Sequence, residues 1–187
     1  MPDWAVDPKA AYPVVYTNVE EWVRKTGRLP DYTSGTFSMG TFGVYCPVEI
    51  KQRMLVEAFF VANGASVNGN HQVGICRARE GGSLEPVPIG VVSVIAPQAG
   101  TSQWQKLLAQ NPSVIPPGRY YLMYASSSTT GTVQRLSVST ANNCRENRLG
   151  NIHTGAPFPM GGGGATSSGT VTGGSVVPVL AVAGVGA

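Results

Sequence analysis

Polar and apolar residues alternate along the middle of this chain with the two-residue period of a half-buried β-strand. Between residues 50 and 61 the apolar positions share one face and the charged positions share the other. The apolar face comprises Met54, Val56, Ala58 and Phe60, and the charged face comprises Lys51, Arg53 and Glu57. We expect the apolar set to be buried in a core, together with Leu122, Leu136 and Val138 from later strands.

Further short runs of strand-forming residues follow, at residues 71–76, 91–96, 119–125 and 132–140. Turn-forming sequences such as Asn-Gly, Gly-Gly and Pro-Pro-Gly separate them. Residues 102–110 fit either a helix capped by Ser102 or a bent strand between two sheets, and the β context favours the strand. Regularly spaced short strands predict a mainly β fold, with an antiparallel, jelly-roll-like β-sandwich over residues 37–150.

Residues 1–36 differ from the middle region because prolines interrupt them and large aromatic residues lie between the prolines. The pattern predicts an extended arm with one short helix, residues 19–25, which Asn18 caps and Gly27 ends. Such a short helix is marginal alone. Its apolar face therefore packs either on the chain's own domain or on a neighbouring subunit. The candidate interface residues of the arm are Trp4, Tyr12, Tyr16 and Trp22.

Residues 151–187 form a third segment, in which a Gly/Ser/Thr-rich linker leads to an apolar, β-branched run. An unpaired apolar strand is an aggregation hazard. We therefore expect the run at residues 176–182 to pair either with the sandwich of its own chain or with another chain. Its candidate interface residues are Val177, Val179 and Leu180.

Composition excludes several classes of protein. Charged residues make up only 12% of the chain, which argues against disorder. The net charge of +3 comes from scattered basic residues without a Lys/Arg run, so we do not expect nucleic-acid binding. The first residues lack the pattern of a signal peptide, and the longest apolar stretch is too short to cross a bilayer, so we expect cytoplasmic synthesis without membrane insertion. We expect free thiols at Cys46, Cys76 and Cys144.

Residues that could carry catalysis do not cluster in this sequence. His71 lies at a turn before a strand, where we expect a solvated or hydrogen-bonded side chain. Cys76 follows five residues later, on the opposite strand face and about 16 Å away, which argues against a Cys–His pair. Glu49 and Glu57 are too far apart on one strand for a glycosidase pair. The sequence therefore predicts no enzyme, no cofactor and no metal site.

Aromatic residues of the middle region suggest one kind of binding. Tyr120 and Tyr124 share a face of their strand, and Trp104 lies in the segment before it. Such rings belong to the core, contact another subunit or stack on a sugar. A carbohydrate-binding or receptor-binding sandwich is therefore the alternative to an assembly protein.

Three pieces of the chain together resemble tailed-bacteriophage virion proteins that contain a β-sandwich domain. The first is the strand at residues 50–61 with the following turn and strand at 65–75, the second is Pro117-Gly-Arg-Tyr-Tyr-Leu, and the third is Val177-Pro-Val-Leu after a Gly/Thr-rich stretch. Their order and spacing carry the resemblance, which covers about residues 45–180.

The resemblance implies a structural protein of the phage particle. It implies a location in the virion, as an accessory head protein (capsid decoration or head fibre) or a tail-associated subunit. Its partners would be other virion proteins and further copies of itself, in a homo-oligomer.

Overall fold

The computed structural model describes residues 7–27, 31–36, 42–78, 86–126, 130–137, 151–154, 171–173 and 177–187. It contains two short helices, α1 (Pro8–Ala11) and α2 (Asn18–Thr26). The strands are β1 (Val14–Thr17), β2 (Asp31–Thr36), β3 (Phe42–Ile50), β4 (Met54–Ala62), β5 (Asn70–Ala78), β6 (Pro86–Pro97), β7 (Trp104–Ile115), β8 (Gly118–Ser126), β9 (Thr132–Ser137), β10 (Asn151–Thr154), β11 (Val171–Gly173), β12 (Val177–Pro178) and β13 (Leu180–Gly186). The predicted strand in the ambiguous segment after Ser102 is confirmed as β7.

The described strands form three sheets, and their pairing is antiparallel throughout. The four-stranded sheet has the order β1-β13-β4-β7, the six-stranded sheet β11-β10-β3-β8-β5-β6, and the three-stranded sheet β12-β9-β2. Apolar side chains from all three sheets meet in one buried cluster, the main core. The predicted class, a mainly β fold with antiparallel sheets, is confirmed, and a shared core between sheets is the packing of a sandwich.

Strand β4 sends side chains into two buried clusters, because a β-bulge at Glu57 changes which residues face the main core. Against β13 the register steps from Ala183–Ala58 to Gly184–Val56, which leaves Glu57 as one extra residue of β4. The extra residue reverses the alternation after it. The main core therefore receives Met54, Val56, Phe59 and Val61. Ala58 and Phe60 instead join a second, smaller cluster on the opposite side of the sheet.

The predicted burial of the apolar residues is confirmed for those that the structure describes. Met54, Val56, Ala58, Phe60, Leu122 and Leu136 are all buried. The assignment of the first four to a single face was wrong, because the bulge at Glu57 divides them between two clusters. Val138 lies outside the described residues.

Both terminal segments contribute strands to the sheets of the middle region. β13 lies between β1 and β4, and β2 pairs with β9. Of the two alternatives left open for the end segments, packing on the chain's own domain is the one seen in these strands. The division at residues 36/37 and 150/151 stays a prediction, with hydrogen-bonded strand pairs crossing both boundaries.

Helix α2 begins and ends close to where the sequence predicts, although a different residue caps it. The hydroxyl of Thr17 accepts a hydrogen bond from the Glu20 amide at 3.2 Å, and Gly27 ends the helix with φ of 67°. Asn18 was therefore wrong as the cap. Its amide nitrogen donates to the Pro178 carbonyl at 2.7 Å, and its amide oxygen accepts from the Leu180 amide at 3.0 Å. Asn18 thus joins the helix to the turn between β12 and β13.

Candidate functional site

The candidate interface residues of the end segments lie mostly inside the chain's own core. Four of them are buried in the main core: Tyr16, Val177, Val179 and Leu180. Tyr12 is half-buried on the other side of the four-stranded sheet. Trp4 and the side chain of Trp22 lie outside the described residues. The four buried side chains have almost no exposed area to offer a neighbour in this state of the chain.

The candidate aromatic residues for glycan or subunit contact are not brought together on the surface. Tyr120 and Tyr124 are both buried in the main core, with 1% and 0% of their area exposed. The Tyr120 hydroxyl donates to the Pro116 carbonyl at 2.8 Å. Trp104 is half-buried on β7, where its ring meets that of Phe60 edge to face. These three rings therefore do not form an exposed platform on which a sugar could stack.

A set of aromatic rings covers part of the outer face of the four-stranded sheet, the face directed away from the main core. The Tyr12 and Trp104 rings pack edge to face on Phe60, with centroids 6.0 and 6.4 Å away. The Lys106 ammonium lies 4.6 Å from the centroid of the Tyr12 ring, in cation–π geometry. Beneath these rings, Ala181 and Ala183 of β13 are fully buried. The segment around Tyr12 thus closes one half of this face.

The other half of the outer face carries apolar side chains that no described residue covers completely. Leu108 and Val114 of β7 are 63% and 43% exposed. Val114 pairs with Leu55 of β4, and Leu55 pairs in turn with Val185 of β13. Leu55 and Val185 are both half-buried. We call these four residues, Leu55, Leu108, Val114 and Val185, the outer patch. Apolar groups gathered on a sheet face mark an interaction surface more strongly than isolated ones.

β7 is the last strand in the order of the four-stranded sheet, and β6 lies close to it. The edge of β7 away from β4 is poorly suited to pairing with a further strand, which makes the face the candidate surface. The register with β4 steps from Ala58–Leu108 to Val56–Ser113, so the four residues 109–112 lie opposite Glu57 alone and form a large bulge. Pro112, within the bulge, has no amide proton to donate. Lys106 adds a charge on the same strand. Bulges, prolines and lysines are the features that protect sheet edges.

A buried polar network closes one end of the sandwich and centres on His71. The His71 ring lies between Asn63 and Tyr124, with Nε2 2.7 Å from the Asn63 Oδ1 and Nδ1 2.9 Å from the Tyr124 hydroxyl. Gln98 donates to the Asn63 Oδ1 at 3.2 Å and to the Thr132 carbonyl at 2.7 Å. The network therefore holds β5 and β8 to the loops that follow β4 and β6.

The hydrogen bonds of Asn63 identify which ring nitrogen of the neutral His71 carries the proton. The Asn63 amide nitrogen donates to the Ala99 carbonyl at 2.6 Å and to the Gln105 Oε1 at 3.0 Å, so its Oδ1 must accept from the histidine. His71 then carries its proton on Nε2 and accepts the Tyr124 hydroxyl proton on Nδ1. Burial lowers the pKa of His71 to about 4, and the nearby side chain of Gln105 opposes that shift. Burial also raises the pKa of Tyr124.

This network has the properties of a structural element. The imidazole is fully buried, neutral and bonded on both nitrogens, so it has no access to a substrate. Gly131 belongs to the same arrangement, because a Cβ at this position would lie 2.3 Å from the Gln98 Oε1 and 2.5 Å from the Asn68 carbonyl oxygen. The predicted hydrogen-bonded histidine is confirmed, although it is buried rather than solvated.

The described residues contain neither a cluster of metal ligands nor a membrane-spanning helix. Within the described ranges, no group of three or more His, Cys, Asp or Glu side chains is placed to hold a metal ion. The helices of the same residues include none that is long and apolar enough to cross a membrane. Cys46 is buried and forms no disulfide, as expected, while the Cys76 side chain and Cys144 lie outside the described residues.

The outer patch was missed by sequence reasoning. Leu55 lies between Met54 and Val56, so it falls among the charged residues of the predicted outer face. Leu108 and Leu107 are consecutive, and nothing local shows which one points inwards. The available signal was the alternation of β4 itself, which places Leu55 opposite the core side chains.

Comparison with protein-family models, with curated proteins and with solved structures gives no match for this chain.

Proposed function

We propose that this chain is a structural subunit of a tailed-bacteriophage particle, either an accessory head protein or a tail-associated one, that acts by binding other particle proteins. The outer patch is the observation that carries the proposal. It places large exposed apolar side chains on one sheet face, where a flat partner surface could bury several at once. At about 25 cal/mol per Å² of apolar area, such burial supplies affinity without any catalytic group.

The resemblance to phage virion proteins supports the same proposal, because its three pieces fall in neighbouring strands. Residues 50–75 span β4 and the first part of β5, and residues 118–122 form the start of β8. The last piece spans β12 and the start of β13. β5 pairs with β8, and β13 pairs with β4. The pieces that carry the resemblance therefore belong to one folded unit.

The alternative function, carbohydrate or receptor binding, has less support from the described residues. Its candidates Tyr120 and Tyr124 lie in the main core, and Trp104 packs against Phe60. A glycan site built from these rings would require the core to open. The assembly proposal requires no such rearrangement.

Counting the copies of this chain in purified phage particles tests the proposal. The phage that carries this chain would be grown with the wild-type chain or with Leu108→Ser/Val114→Ser, and quantitative mass spectrometry would count copies per purified particle. Losing about 1.4 kcal/mol of contact energy lowers affinity tenfold, so we expect attachment of the double variant to weaken by about tenfold or more.

Val67→Ser is the matched control, because Val67 is an exposed apolar residue (36%) in the loop between β4 and β5, outside the patch. It should leave the copy number unchanged. Particles that contain no copies of the wild-type chain would refute the proposal. Equal copy numbers for the wild type and the patch variant would remove the patch from it.

A further inference from the structure

The last strand, β13, occupies a narrow slot between two other strands. It pairs antiparallel with β1 through residues 181–184 and with β4 through residues 180–186. Its side chains from Leu180 to Ala183 are fully buried. Removing β13 would therefore open the centre of the four-stranded sheet and expose both its apolar faces.

The slot recognises β13 by shape as well as by hydrophobicity. A Cβ built on Gly184 would lie 1.8 Å from the Leu55 carbonyl oxygen, so this position accepts only glycine without backbone movement. Ala183 pairs directly with Ala58, beneath the outer aromatic cluster. Asn18 binds the backbone on both sides of Val179. The complement of the slot is thus a small-residue strand with a defined register.

The connection to this strand is long in sequence. Residues 155–170 join β10 to β11 and include six glycines. Sixteen residues can span up to about 55 Å when fully extended. The connection is therefore long enough for the segment after it to reach the slot of its own chain or that of an adjacent copy.

We propose that the segment from Val171 to Gly186 is exchanged between copies of this chain, so that β13 of one copy fills the slot of the next. All contacts of the strand are the same within one chain and between two, so only effective concentration decides between them. Dilute chains keep their own strand, and crowded copies exchange it. The idea that this exchange links neighbouring subunits in a particle rests on the proposed function. The exchange itself does not depend on that function.

Two full-length variants test the exchange, each with one introduced cysteine and with Cys46, Cys76 and Cys144 replaced by alanine. Ala58→Cys and Ala183→Cys place thiols on directly opposed residues, whose Cα atoms lie about 4.5–5.5 Å apart in antiparallel sheets, within disulfide range. The two proteins would be refolded together from urea at increasing concentration and oxidised, and peptide mapping would identify the bond between positions 58 and 183. We expect a linked dimer whose fraction rises in proportion to concentration while it is the minor species.

Two controls make the result specific. Ala187→Cys carries an exposed thiol just after the same strand and reports random collisions, so it should give far less bond to position 58. Gly184→Val blocks the donated strand, so adding it to the Ala183→Cys protein should abolish the linked dimer. Added to the Ala58→Cys protein instead, it leaves a slot that accepts a strand from another copy, and the dimer should form. Absence of the 58–183 bond at every concentration would overturn the exchange, whether or not the chain is found in particles.

Discussion

The two faces of the four-stranded sheet are both apolar, yet they are closed to different degrees. The inner face meets the six-stranded sheet, and Met54, Phe59 and Val182 there are fully buried. On the outer face, Tyr12 and Trp104 cover Phe60 and its neighbours, while the outer patch remains exposed. The difference shows that an apolar position in a strand does not by itself indicate what covers it. The part of the outer face that the described elements leave open is therefore the candidate surface for a partner.

The largest expected effects on stability come from substituting two adjacent residues, Phe59 on the inner face of the sheet and Phe60 on the outer face. Phe59→Ala should cost about 4–5 kcal/mol of unfolding free energy, because the two packed sheets cannot move into the cavity that the lost ring leaves. Phe60→Ala should cost about 3 kcal/mol, because the half-buried Tyr12 and Trp104 can shift into the space. Urea denaturation of both variants measures the difference. An equal or larger cost for Phe60→Ala would mean that the outer cluster is as rigid as the main core.

Acid should destabilise the fold through the buried His71, which lies on the main-core side of the molecule and not on the outer face. His71 has a folded pKa of about 4 and an unfolded value near 6.5, so between these values the unfolded chain binds a proton that the folded chain does not. Stability is therefore complete above about pH 6.5 and falls as the pH drops to about 4, by about 3 kcal/mol in total. Urea unfolding at several pH values measures this slope.

His71→Gln is the variant that isolates this contribution. It should be less stable than the wild type at neutral pH, because a network bond is lost, but its stability should depend less on pH between 6.5 and 4. Parallel pH profiles for the wild type and His71→Gln would show that other groups cause the acid sensitivity.

A smaller effect is expected where helix α2 meets the last strand. Asn18→Ala leaves the Pro178 carbonyl and the Leu180 amide without their partner, which should cost about 1–3 kcal/mol. Thr17→Ala removes only the exposed helix cap and should cost about 1 kcal/mol. Thermal or urea unfolding of the two variants compares them. A larger cost for Thr17→Ala would show that the helix end, rather than its link to β13, stabilises this region.

Local pattern predicted the strands and most of the core, because a two-residue period is visible in the sequence. Met54, Val56 and Leu122 were found in this way. The division of the β4 side chains between two faces was not predicted, because Glu57 fits a regular alternation as well as it fits a bulge. Only the register against β7 and β13 distinguishes the two, and that register depends on strands distant in sequence.

Non-local pairing also explains what was missed at the ends of the chain. The run after Pro178 was known to need a partner, but nothing local showed that it enters the centre of a sheet between β1 and β4. Asn18 looked like a helix cap because Asn is a good cap. Its actual partners lie 160 and 162 residues away. The hydrogen-bonded state of His71 was expected, whereas its burial depended on loops that follow other strands.

The smallest expected change in stability concerns the outer patch, and it is the one that separates fold from function. Leu108→Ser and Val114→Ser alter side chains that are largely exposed, so each should change the unfolding free energy by no more than about 0.5 kcal/mol. Val67→Ser in the loop should behave in the same way. Urea denaturation of the isolated chain measures all three. If Leu108→Ser instead costs as much as Phe60→Ala, the patch is covered by the chain itself, and its exposed area cannot be the surface that binds a partner. If the cost is small, any loss of attachment in the double variant comes from the interface and not from unfolding.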